Sequence, residues 1–324
     1  MLSKAQKISR RHAVTRAGVL VGAAMASGSR PVLAAESRTA GAKPPGSFVL
    51  CLNTATIRGQ KLGIVKEIEV AAKAGFQAIE PWVASIETYQ KESGSLPDLK
   101  QRIADLGLTV ESAIGFPQWI AEDEAKRAQG LERAKFEMDL VAQIGGKRVA
   151  APPAGATDLP KLELAKAAER YRALLEAGDQ VGVVPQLELW GFSKNLNRLG
   201  ECACVAMETG HPKACVVADI FHLHKGGSPY AGLGLLSRNA IQVFHLNDYP
   251  AEPPREKIDD SYRIFPGDGV APLVEILRDL RGNGGQTVLS LELFNRKYWA
   301  MDALEAAREG LEKMKAVVSR VVAG

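Results

Sequence analysis

The fold class predicted for residues 47–324 is α/β, a single (β/α)8 TIM barrel, and three observations predict it. Short apolar, β-branched runs recur eight times, as buried parallel strands do. Helical patterns with apolar residues three and four apart lie between them. Ligand-type polar residues appear only where the later runs end, at the rim where such barrels keep their active sites. A doubly wound sheet ranks second, because no glycine-rich phosphate fingerprint follows the first run.

In chain order, strands are predicted at 48–54, 77–83, 108–114, 147–152, 183–190, 214–221, 241–248 and 287–294. Helical patterns include 64–74, 96–106, 124–144 and 161–180. Gly75, Gly107, Gly145 and Gly210 close several of the helices. These eight units fill about 280 residues, close to the usual barrel length of about 250. Two connections exceed what a barrel requires, 85–97 and 249–272. The second is rich in proline and charge, and as a βα loop it is expected to wall the site, with Arg263 as its anion or hydroxyl contact.

Before the barrel, residues 1–34 read as an export signal: the Arg10-Arg11 pair, a short run of small apolar residues, and a Val32-Leu33-Ala34 cleavage pattern. The arginine pair resembles a twin-arginine signal, with an ordinary secretory signal as the alternative, and a periplasmic location is expected. Residues 35–46 read as a linker. The signal holds six Lys or Arg and no acids, so the formal charge of +4 for the whole chain becomes −2 without it. The remainder has no basic patch of the kind nucleic acid requires and no run long enough to span a membrane. Cys51, Cys202, Cys204 and Cys215 have no metal-site spacing and read as core thiols.

The chemistry lies on the last four strands. Glu188, Asp219, His245 and Glu292 each interrupt an apolar run near its end, with His222 and Asp248 close by. Several carboxylates buried together would each cost several kcal/mol without a cation, so a divalent metal site is predicted. Its oxygen and nitrogen donors favour manganese or magnesium, with cobalt or zinc as alternatives. Trp82, Trp119 and Trp190 fall near strand ends, where flat rings can stack on a sugar.

Glu188, the Asp219-Ile-Phe-His222 run, His245-Leu-Asn-Asp248, Arg263 ahead of Pro-Gly-Asp-Gly, and Glu292 together resemble the xylose isomerase-like superfamily across residues 48–321. Its branches include sugar isomerases, ketose 3-epimerases, inosose dehydratases and apurinic endonucleases. The epimerase branch implies one divalent ion on Glu188, Asp219, His245 and Glu292, with Glu188 and Glu292 also as acid and base. It implies substrate contacts from His222, Arg263 and Glu80, to which Trp190 is added as a stacking ring. The three-zinc endonuclease set is incomplete here, since residues 35–324 hold only four histidines. Three functions remain open: an isomerase or epimerase of an unphosphorylated keto-sugar working through an enediolate, a lyase or dehydratase on 3-keto-glycosides or inososes, and a non-catalytic carbohydrate-binding barrel.

Overall fold

The structure is a computed structural model and describes residues 47–237 and 239–322. The expected export signal and linker lie outside the described residues. Eight parallel strands form one curled sheet in the order β3-β2-β1-β8-β7-β6-β5-β4. They are β1 (Phe48–Asn53), β2 (Ala78–Glu80), β3 (Thr109–Val110), β4 (Arg148–Ala151), β5 (Val184–Glu188), β6 (Val216–Asp219), β7 (Val243–Leu246) and β8 (Thr287–Leu291). The helices are α1 (Ile64–Ala74), α2 (Val83–Lys91), α3 (Leu96–Asp105), α4 (Glu124–Gln143), α5 (Leu164–Val181), α6 (Leu199–Glu208), α7 (Ile220–Gly226), α8 (Leu273–Gly282), α9 (Arg296–Trp299) and α10 (Ala303–Val322). None of the described helices is long and apolar enough to cross a membrane.

The strands are shorter than predicted, for local reasons. Pro81 supplies no ladder donor and ends β2. Asp219 accepts the His222 backbone N–H, so β6 turns directly into α7. The connection expected at 85–97 is mostly helical: α2 begins at Val83, buries Val83 and Ile86, and leads into α3 at Leu96. That apolar spacing of three overrides the polar composition. Gly75, Gly107, Gly145 and Gly210 all take positive φ, between 61° and 97°, as helix-closing glycines do. β3 and β4 share no ladder; the Ala150 N–H donates to the Ala113 carbonyl at 2.8 Å and links the two strand ends.

Alternation along the strands divides each into two faces. The outward residues join the helices in one large apolar core. The inward residues form two layers inside the barrel. Val49, Cys51, Ala78, Val217, Val243 and Val288 make an apolar plug below. Two residues further along the same strands stand Asn53, Glu80, Asp219, His245 and Ser290, with Asn53 opposite Glu80, Asp219 opposite His245, and His245 opposite Ser290.

Candidate active site

The upper layer converges on His245, which is fully buried. Its Nδ1 lies 3.2 Å from Glu292, 3.7 Å from Asp219 and 3.9 Å from Glu188. Its Nε2 lies 3.1 Å from Glu80 on the other side of the ring. Glu80 is itself gripped by Asn53 Nδ2 (2.9 Å) and Ser290 Oγ (2.6 Å). A carboxylate on Nε2 aims Nδ1 at the other three acids and makes it more basic. Glu80 therefore sits beneath the histidine, away from the cavity described below.

Arg263 reaches into the same cluster from the 249–272 loop. Its Nη1 donates to Asp219 (2.6 Å) and Glu292 (2.9 Å), and its Nη2 contacts Asp260 (2.7 Å) and His222 Nε2 (3.1 Å). Because a guanidinium only donates, His222 Nε2 accepts and its proton sits on Nδ1. Burial and the nearby Arg263 charge hold His222 down at about 3, so it is neutral. Asn247 Nδ2 donates to Asp219, and Asn247 Oδ1 accepts the Phe221 N–H.

Asp248 faces outward and anchors the loop. It accepts backbone N–H groups from Tyr249, Gly267, Gly269 and Ala271, all between 2.8 and 3.0 Å. Main-chain bonds pair Asp248 with Ile264 in both directions, which seats Arg263 next to them. Any side chain at Gly269 would meet the Tyr249 carbonyl at 2.2 Å, so that close approach requires glycine.

Glu188 Oε2 and His222 Nδ1 are buried without a hydrogen-bond partner, and His245 Nδ1 has only the ion-pair approach of the acids, with no well-aligned hydrogen bond. Burial, reinforced by the charges of Glu292, Asp219 and Glu80 against the pull of His245, pushes Glu188 up to about 8. Burial also works against charge on Glu292, but His245 and Arg263 outweigh it and hold its carboxyl low. Burial likewise opposes the His245 imidazolium, yet Glu292 and Glu80 keep its proton well above the usual range. A cation in place of that proton fits these residues. Asp219, His245 and Glu292 each offer one donor atom, all within 4.8 Å of one another, and Glu188 faces the same nitrogen. No cysteine joins them among the described residues.

A cavity of about 110 Å³ opens above the cluster, lined by Glu188, Trp190, His222, Arg263 and Glu292 among others. Trp82 reaches it, whereas Trp119 does not: its ring is buried against Tyr171 and its Nε1 donates to the Pro152 carbonyl. Asn53, Asn247, Ser290 and Asp260 were not anticipated. Strand parity alone points the first three inward.

A parallel α/β barrel with carboxylates and a histidine converging at its C-terminal rim defines the class of barrel enzymes. The sequence pattern of the xylose isomerase-like TIM barrel family matches residues 68–317, and the chain belongs to that family. Inosose isomerase of Bacillus velezensis is 26% identical over 275 residues, covering 84% of this chain and 97% of that protein. The 3-dehydroshikimate dehydratase of Pseudomonas putida is 24% identical over 258 residues, covering 77% of this chain but 39% of that protein. A crystal structure of IOLI protein with a binding zinc atom superposes with a TM-score of 0.75 at 23% identity, over 84% of this chain and 99% of that one. With isomerases, epimerases and dehydratases as its relatives, this chain is an enzyme of the sugar isomerase and epimerase kind.

Proposed function

We propose that the chain is a divalent-metal-dependent isomerase or epimerase that moves a proton beside the carbonyl of an unphosphorylated keto-sugar or cyclic keto-polyol. The observation that carries this reading is the buried convergence on His245 Nδ1, which lies 3.2 Å from Glu292, 3.7 Å from Asp219 and 3.9 Å from Glu188, with Glu188 Oε2 left without a hydrogen-bond partner. Glu188, Asp219, His245 and Glu292 would hold the ion, which supplies Lewis-acid polarisation of the carbonyl when bound. An all-oxygen-and-nitrogen donor set favours manganese or magnesium, although zinc appears in the similar structure.

The chain's own groups supply the proton chemistry. Glu188 and Glu292, which flank His245 from different strands and have different surroundings in the metal-free site, are assigned the acid and base roles. Glu188 Oε2, the oxygen without a partner, is the atom at which a carbon-bound proton is taken or returned. Arg263 and the Nδ1–H of His222 face substrate oxygens, and Trp190 stacks beside them. Elimination is the second reading, in line with the dehydratase relative; there the Nδ1–H of neutral His222 would hydrogen-bond the departing oxygen, whose proton comes from the acid of the glutamate pair. The export signal proposed for residues 1–34 would place the enzyme in the periplasm, among unphosphorylated substrates.

Incubation with keto-sugars and inososes in D2O tests the proposal. Deuterium should enter the carbon next to the ketone, and chelation should abolish the exchange. Release of water or an aglycone with the same exchange would select the elimination reading. Turnover that survives chelation, with no deuterium incorporated, would overturn both.

A further inference from the structure

The rim of the cavity differs from its floor. Trp82, Phe116, Trp190, Phe192 and Phe294 come from the ends of four different strands, yet they form one connected collar. Ring centroids are 5.1 Å apart for Trp82–Phe116, 6.0 Å for Phe116–Trp190, 5.1 Å for Trp190–Phe192 and 6.2 Å for Trp82–Phe294. The collar closes onto the reacting groups where Phe192 meets His222 edge-on at 5.4 Å. Arg58 covers one face of Trp82 at 4.0 Å and fixes that ring.

Phe116 is 40% exposed and Phe192 45%. Single exposed apolar side chains need no explanation, but two that are joined through tryptophans to a cavity form a patch. The only side-chain polar atoms of these five rings are the two indole N–H groups of Trp82 and Trp190, and Trp82 Nε1 is buried without an acceptor. All the charged groups at the cavity lie on the floor or on the Asp260–Arg263 side. A free sugar can lay one C–H face on a single ring such as Trp190, but it bears hydroxyls around its whole circumference, and these would meet the other rings of the collar. Each one pressed against a phenyl ring without a partner costs about 1–3 kcal/mol. A flat apolar group at the same place gains area burial and about 0.5–1.5 kcal/mol per aromatic contact.

We infer that the aromatic collar is a second subsite, for a flat apolar substituent on the sugar, so that a keto-sugar carrying an aryl group is preferred as substrate over one without it. The sugar ring meets Glu188, His222, Arg263 and Glu292, and the aryl group lies between Phe116 and Phe192. The inference rests on the carbohydrate reading of the floor.

Equilibrium binding of phenyl β-D-glucopyranoside and methyl β-D-glucopyranoside, followed by calorimetry and by tryptophan fluorescence, tests it without requiring turnover. The phenyl compound should bind at least about tenfold more tightly, a margin of the size one or two aromatic contacts supply. In the double variant Phe116→Ala/Phe192→Ala that preference should vanish, with the methyl glycoside bound as before and the near-ultraviolet circular dichroism showing a folded barrel. Equal affinities in the wild type, no binding of the phenyl compound, or a preference that survives the double substitution would overturn the subsite. Keto-sugar turnover measured in parallel separates the two ideas. Turnover without aryl preference removes the collar's role alone, and a collar-dependent preference without any proton exchange removes the reaction assigned to the floor.

Discussion

The two layers inside the barrel are built from the same strands, two residues apart, and they have opposite characters. Val217, Val243 and Val288 in the lower layer bring no side-chain polar atom to satisfy. Asp219, His245 and Ser290 in the upper layer crowd buried charge and hydroxyl around one point. An apolar plug stabilises by area and shape. A cluster of carboxylates opposes folding until cations or protons neutralise it. The barrel thus keeps its stability below and its reactivity above, so each can be altered with little effect on the other.

The largest effect that would break this division comes from the upper layer. Glu188→Gln and Glu292→Gln should each lower turnover roughly 10²- to 10⁴-fold, about 3 to 5 kcal/mol of barrier, with metal at saturation. The thermal midpoint of metal-free Glu188→Gln should hold or rise, because the change removes a buried acid without a partner. Full rescue of both variants by added metal would reduce the glutamates to ligands.

A solitary buried acid sharpens the comparison. Glu67 on α1 is buried outside the barrel, with one oxygen unpartnered. Burial, only partly offset by the Arg58 charge, raises it from 4.5 to about 7. Its folded form holds the proton more tightly than the unfolded chain does, so its contribution is full below pH 4.5 and is lost as pH rises to about 7. Glu67→Gln should flatten the stability profile over that window by up to about 3 kcal/mol, read from denaturant melts at several pH values. An unchanged slope would mean the carboxyl finds a partner in solution.

The smallest effect is expected below. Val288→Ala removes two methyl groups from a filled layer and should cost about 2 kcal/mol of stability, with turnover preserved. Loss of activity at unchanged stability would show that the plug, too, takes part in the chemistry.

Much of the upper layer is legible in the sequence because a charged residue in a β-branched run is conspicuous. Glu188, Asp219, His245 and Glu292 stand out that way, and the structure brings them to one histidine nitrogen. Asn53, Asn247 and Ser290 do not stand out, since Asn and Ser are ordinary strand-end residues and only their inward parity marks them. Asp248 looks equivalent to its neighbours by type, yet one residue of parity turns it outward to hold the loop. Arg263 is marked in the sequence only by its loop and the Pro-Gly-Asp-Gly that follows it. Its complete burial depends on carboxylates from distant strands, which no local pattern shows. The helix α2 was missed for the opposite reason: its polar surface masks the short apolar stripe that docks it.

The bare junction between β3 and β4 has a mechanical meaning. A hydrogen-bonded sheet is stiff where its ladders are dense and compliant where they thin out. His245 and Asp219 stand on the ladder-paired strands β6 and β7, whereas Phe116 follows β3, beside the seam that the Ala150–Ala113 bond bridges. The reacting atoms thus stand where the ladders are continuous, whereas the segment carrying Phe116 is tied on one side to the end of β2 through Ile114 and on the other to β4 by a single bond, so the mouth is held by fewer main-chain bonds than the floor.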